Sequence, residues 1–136
     1  MLSIEDRTKP ISFDPHAIIR FYERGVKDKL FPHCLLAGEV WSEIVDAIKN
    51  PSKSVIIEDK RPDSSSTHIC IFVNEGAIPV AVPIALNDKH LYLFTLKDVK
   101  SEWTNPNWYI DQYNSIARQR DLTIIPKVVK TYSDFT

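Results

Sequence analysis

The chain predicts an α+β domain, and three observations carry that expectation. Apolar residues recur at helical spacing in two early stretches, 15–24 and 36–49. Short segments rich in Val, Ile, Leu and Phe then alternate with turn residues over 54–96. One more helical stretch begins at Asn105-Pro106 and runs to Gln119. Helices and strands set apart in this way predict two N-terminal helices packed on an antiparallel sheet of about four or five strands, with one further helix near the C-terminus. A length of 136 residues suits a single domain.

Taken in order, residues 1–11 read as a polar lead-in, ordered only by docking. Asp14 is a favoured N-cap, Pro15 suits the first helical position and Gly25 suits the position after the last turn, which bounds a helix at 15–24. A loop with Lys27-Asp28-Lys29 and Phe31-Pro32 follows. In the second helix Leu36, Val40, Trp41, Ile44, Val45 and Ile48 form one apolar stripe, with Trp41 as a core residue, and Asn50-Pro51 stops it. Residues 54–58 read as a strand, and 61–66 as a turn or mobile connection. Over 67–74, alternation sets Thr67, Ile69, Ile71 and Val73 on one face and His68, Cys70 and Phe72 on the other. Glu75-Gly76 signals a hairpin into a strand at 78–86, where Pro79 and Pro83 require an edge, a bulge or a break. Asn87-Asp88-Lys89 turns the chain into a strand at 90–96, and 122–129 is a last extended segment interrupted by Pro126.

Composition narrows the function classes. A net charge of −1 and a pI near 6.4 count against a non-specific nucleic-acid binder, while leaving room for a local basic site. No apolar run approaches the roughly 20 residues that span a bilayer, and the N-terminus lacks an apolar signal core, so the expected compartment is the cytoplasm. Two cysteines, Cys34 and Cys70, are too few for a disulfide framework. With only three glycines, the chain has no glycine-rich phosphate loop.

The densest concentration of chemistry lies on the first helix. At about 100° per residue, His16, Arg20, Glu23 and Arg24 fall on one side. Ala17, Ile18, Phe21 and Tyr22 fall on the other, with Ile19 at the boundary. An imidazole titrates near neutral pH, and two guanidiniums grip phosphate in bidentate fashion. The stripe therefore suits a phosphate held beside an acid–base group.

The pattern His16-Ala17-x-x-Arg20-x-x-Glu23-Arg24-Gly25-Val26 resembles the opening helix of BrnT-like toxins, within the barnase–EndoU–colicin–RelE-like group of small ribonucleases. The ending Val45-Asp46-Ala47-Ile48-Lys49-Asn50-Pro51 is similar in style to that family's second helix. The resemblance covers residues 12–97. Residues 30–37 look like an insertion, and the chain after Trp103 has no counterpart. The resemblance implies a metal-independent endoribonuclease that cleaves RNA by 2′-hydroxyl attack and needs no cofactor. It also implies an inhibitory protein partner, an antitoxin or immunity protein. In that setting His16 is the acid or base, Arg20 and Arg24 hold the phosphate, and Glu23 orients its neighbours. Thr95, late in the sheet, joins the catalytic set, and Lys97 on the same strand face joins Arg61 as a substrate contact. The alternative is a non-catalytic protein-binding module, an antitoxin, immunity or accessory protein, on the same kind of scaffold.

His33-Cys34 and His68-x-Cys70 invite a zinc reading, but their spacing matches no familiar zinc signature and no metal site is assigned. Trp103 and Trp108 are read as anchors of the last helix on the sheet.

Overall fold

The computed structural model describes residues 2–62, 64–100 and 106–128. The order is α1 (Ile4–Arg7), β1 (Ile11–Phe13), α2 (Pro15–Arg20), a π-helix (Phe21–Lys27), α3 (Ala37–Lys49), β2 (Val55–Glu58), β3 (His68–Val73), β4 (Pro79–Leu86), β5 (Leu91–Leu93), β6 (Lys97–Asp98) and α4 (Pro106–Gln119). The fold is α+β. The sheet runs β1-β5-β4-β3-β2, with β6 also pairing with β4. It is mixed rather than antiparallel, because β1 lies parallel to β5, in register Ile11 with Leu91 and Phe13 with Leu93.

The lead-in is built, not loose. Ser3 and Asp6 form a reciprocal capping box, with Asp6 N donating to Ser3 Oγ and Ser3 N to Asp6 Oδ2, both at 3.2 Å. Arg7 is buried and donates to Ile48 O (3.1 Å), Ser54 Oγ (2.9 Å) and Ser54 O (3.3 Å). Those bonds deliver the next residues to the free edge of β5, where they pair as β1.

Strand alternation sorts residues into two cores. Ile56, Cys70, Phe72, Val80, Val82 and Ile84 face Phe21 and the α3 residues Val40, Ile44 and Ile48. Val55, Ile57, Ile69, Ile71 and Ala81 face Ile110, Tyr113 and Ala117 of α4. Helices therefore cover both faces of the sheet. Pro83 is buried in a central strand, where a missing N–H would normally orphan a partner. Its carbonyl accepts from Phe94 N at 3.2 Å, so its nitrogen points to the same edge, at the gap where β4 changes partner from β5 to β6. The break expected from the proline is a break in its neighbour.

The first helix departs most from expectation. It does not end at Gly25 but continues as a π-helix to Lys27, and Gly25 has no positive φ. Gly25 is needed for space: a Cβ there would lie 2.9 Å from both methyls of Val40 on α3. In an α-helix, residues four apart drift forward around the axis, whereas an under-wound π turn lets them drift back. The two segments cancel, so Ala17, Phe21 and Gly25 line up and are buried. Ile18, Ile19 and Tyr22 are left outside, against the expectation that Ile18 and Tyr22 join the core. Trp41 is also partly exposed, its ring edge-on to Phe13 at 5.2 Å.

The extended segment at the end of the chain joins no strand among the described residues. It is clasped by two asparagines of α4. Asn114 donates to Ile125 O (2.8 Å) and accepts from Ile125 N (2.9 Å), and Asn107 does the same for Val128 O (3.2 Å) and N (2.7 Å). Trp108 is partly exposed, and Trp103 and Asn105 lie outside the described residues.

Gly25→Ala is expected to destabilise the protein by about 1–3 kcal/mol in urea unfolding, the cost of overpacking a helix contact. Combined with Val40→Ala it should cost less than the sum of the two single changes, by about 1 kcal/mol. Additive effects would mean that the two residues do not set this contact.

Candidate functional site

Asp14 fixes the start of α2 to the sheet. Its N–H donates to Leu93 O (2.9 Å), its Oδ1 accepts from His16 N (2.9 Å), and its Oδ2 accepts from Tyr92 OH (3.2 Å). Burial, then the bond to Asp14, push the Tyr92 phenol above its ordinary value. His16 is exposed in the first turn. Arg20 pairs with Glu23 through Nη1–Oε2 at 2.8 Å, with both side chains nearly half exposed, a geometry that contributes little to stability.

Arg24 behaves differently, because it reaches the sheet. Its Nη1 donates to Leu96 O (2.8 Å) and to Thr95 Oγ1 (3.3 Å). The predicted stripe is thus split. His16, Arg20 and Glu23 face outward, while Arg24 meets Thr95, its expected companion from the sheet.

A second convergence was expected only in pieces. Arg61, Thr95 and Lys97 line one cleft of about 190 Å³ together with Ser65, Ser66 and Phe94. His16 and Arg20 are not in its lining. Part of the lining, Arg61, Ser64, Ser65 and Ser66, comes from the segment expected to be a turn or mobile connection, and several of its side chains are hydrogen-bonded. Arg61 Nε and Nη2 donate to Asp59 Oδ1 (3.0 Å) and Oδ2 (2.7 Å), and Ser64 Oγ donates to Oδ2 (2.9 Å). Ser66 Oγ also donates to Asp59. The Asp59 carboxylate is fully buried. Burial alone would raise its pKa, but the hydrogen bonds from Arg61, Ser66 and Ser64 outweigh it and hold the carboxyl well below the usual range. Lys97, the Thr95 hydroxyl and the Phe94 ring give this cleft the means to hold an anion beside a stacked planar group.

The zinc pairs divide. His68 Nδ1 is engaged by Thr67 Oγ1 (2.8 Å), and burial lowers the imidazole pKa. Cys70 lies in the core, its thiol pushed up to about 11 by burial. His33 and Cys34, in contrast, meet Glu43 of α3, and one ligand atom from each lies within 4.8 Å of the others. Burial first, and then the nearby carboxylates of Glu43, Glu39 and Glu75, raise the Cys34 thiol above its ordinary value. No sequence signal singles out Glu43: it is one of several acids on α3, nine positions beyond Cys34.

The Asp59 network sets a pH dependence. A carboxyl whose pKa is depressed by folding adds stability that is complete above its unfolded value, about 4, and is lost as pH falls toward the folded value. Asp59→Asn is expected to cost about 3 kcal/mol at neutral pH. The gap between wild type and variant should narrow steadily below about pH 4, and urea midpoints across that range test it. A gap that does not change with pH would show that the charge of Asp59 does not matter. Comparison of the chain with protein-family models, curated proteins and solved structures finds no match.

Proposed function

We propose that this chain is a protein-binding module that docks a partner on the outer face of α2 and the π-helix. One observation carries the reading: Ile18, Ile19 and Tyr22 are 53%, 51% and 54% exposed. At spacings of three and four residues they are neighbours on one helix surface. Isolated exposed apolar residues need no explanation, but a cluster of three large ones on one helix face is typical of an interaction site. Tyrosine is favoured in such sites because it covers area at little entropic cost and keeps a polar tip. The Arg20–Glu23 pair beside the cluster supplies a polar rim. The net charge of −1 suits a protein partner better than a polyanion. The partner class this fits is the counterpart of an antitoxin, immunity or accessory protein.

The second reading is the metal-independent ribonuclease. The cleft of Arg61, Thr95, Lys97 and Phe94, with Arg24 bonded to Thr95, favours it: cations and hydroxyls take phosphate, and an aromatic ring takes a base.

A photocrosslinking residue at position 18, in cells that make the protein, is expected to give one discrete protein adduct. The same residue at position 89, on an exposed turn, should not, and Tyr22→Asp should abolish the adduct at 18. Equal labelling at both positions, or none at 18, overturns the docking reading. For the ribonuclease, the purified chain should cut RNA with chelator present, and Lys97→Ala, in the cleft, should slow it by about 100-fold. Cleavage unchanged in Lys97→Ala, or absent from the wild type, rules that reading out.

A further inference from the structure

We propose that His33, Cys34 and Glu43 form a site for a divalent transition metal, zinc above all, that pins the loop before α3 to the helix itself. The donor set is one imidazole nitrogen, one thiol sulfur and one carboxylate oxygen, the three ligand types zinc takes. Their ligand atoms lie within 4.8 Å of one another. Metal–ligand bonds of about 2.0–2.3 Å in a tetrahedron place ligand atoms roughly 3.3–3.8 Å apart. Small side-chain adjustments therefore close the shell.

The three side chains are held from behind. Glu43 Oε2 accepts from Glu75 N (3.2 Å), which leaves Oε1 against His33 Nε2 (2.5 Å). The other imidazole nitrogen is packed on Gly76, where a Cβ would come within 2.9 Å of His33 Nδ1. The hairpin's left-handed residue is Ala77, not Gly76, so the glycine serves this approach rather than the turn. Cys34 N donates to Phe31 O (3.0 Å), and Asn74 Nδ2 donates to Leu30 O (2.8 Å), which ties the loop to the same hairpin. This backing of first ligands by hydrogen bonds and packing is what metal sites require.

The surroundings suit a cation. The adjoining cleft, about 720 Å³, is lined by Glu39 and Glu75 as well as the three ligands. Three protein ligands leave a fourth position facing that cleft, open to water or to another donor. Metal binding displaces the thiol proton of Cys34 to solvent, so each zinc bound to the thiolate releases at least one proton. The competing arrangement is a plain His33–Glu43 ion pair that closes the loop without metal.

The test uses the full chain, stripped with chelator, desalted and titrated with cobalt(II) and then zinc(II). One equivalent of cobalt should produce a thiolate-to-cobalt charge-transfer band, and zinc should erase it. Cys34→Ser should lose the band. Glu43→Gln should keep it while weakening zinc by at least about 10-fold, since even indirect partners of a metal contribute that much. His33→Ala, at an exposed position, provides a second variant if Cys34→Ser does not fold, and should weaken zinc by a similar factor. No charge-transfer band in the wild type, a band that survives Cys34→Ser, or zinc affinity unchanged in both Glu43→Gln and His33→Ala would each overturn the site.

Discussion

The guanidinium of Arg7 lies where the layers of the molecule meet, and much of the architecture follows from how it is held. Removing such a charge from water costs several kcal/mol. It is offset by bonds to the Ile48 carbonyl and to both the hydroxyl and carbonyl of Ser54, each of the strong kind made by a charged donor. Ser54 returns its own hydroxyl to Ala47 O, and Arg120, just past α4, reaches the same turn at Pro51 O and Ser54 O (both 3.4 Å). The joint between α3 and β2 is thus gripped from both sides of the sheet. From that anchor the chain has only a few residues in which to reach β5 as β1. Asp14 follows directly and sets the start of α2. The π-helix then inherits its position, and with it Arg24 inherits its bond to the Leu96 carbonyl.

The parts of the fold that were legible are those encoded by neighbours in sequence. Alternation over 67–74 separated Cys70 and Phe72 from Ile69 and Ile71, and each pair entered a different core. The helix at 36–49 was readable because its apolar spacing is long enough to repeat. What escaped depends on distant residues. Three residues of β1 carry no periodicity, and a parallel partner some eighty positions away leaves no local mark. Gly25 lies where a Cβ would meet the Val40 methyls, a close approach that depends on α3 and that no propensity of 15–27 encodes. The candidate site divides in the same way. Thr95 and Lys97, which alternation sets on one strand face, share a cleft with Arg61 from the serine-rich loop. His16, Arg20 and Arg24 share a helix face in sequence, but only Arg24 finds partners on the sheet, while Arg20 is taken by Glu23.

The π-helix places its side chains differently from a regular α-helix. Had the helix stayed α-helical, its cations would have shared one side and its apolar residues the other. In the structure Arg24 bonds to the sheet, and Ile18, Ile19 and Tyr22 lie exposed. On the far side of the π-helix, the loop toward α3 is drawn against the hairpin by Asn74 and Gly76, which brings His33 and Cys34 to Glu43.

The asparagine clasp at the end of the chain amounts to a ruler. Asn107 and Asn114 are seven residues apart on a helix, about 10.5 Å along its axis. Val128 and Ile125 are three residues apart on an extended segment, about 9–10 Å. The two spacings nearly match, and a segment running the opposite way with the three-residue turn of a polyproline helix, unlike a strand with its two-residue alternation, presents both peptides to one helix face. Because the amides touch only main chain, the residues between the clasped ones are left free to diverge. A helix lengthened by one heptad and a segment lengthened by three residues would stay in step.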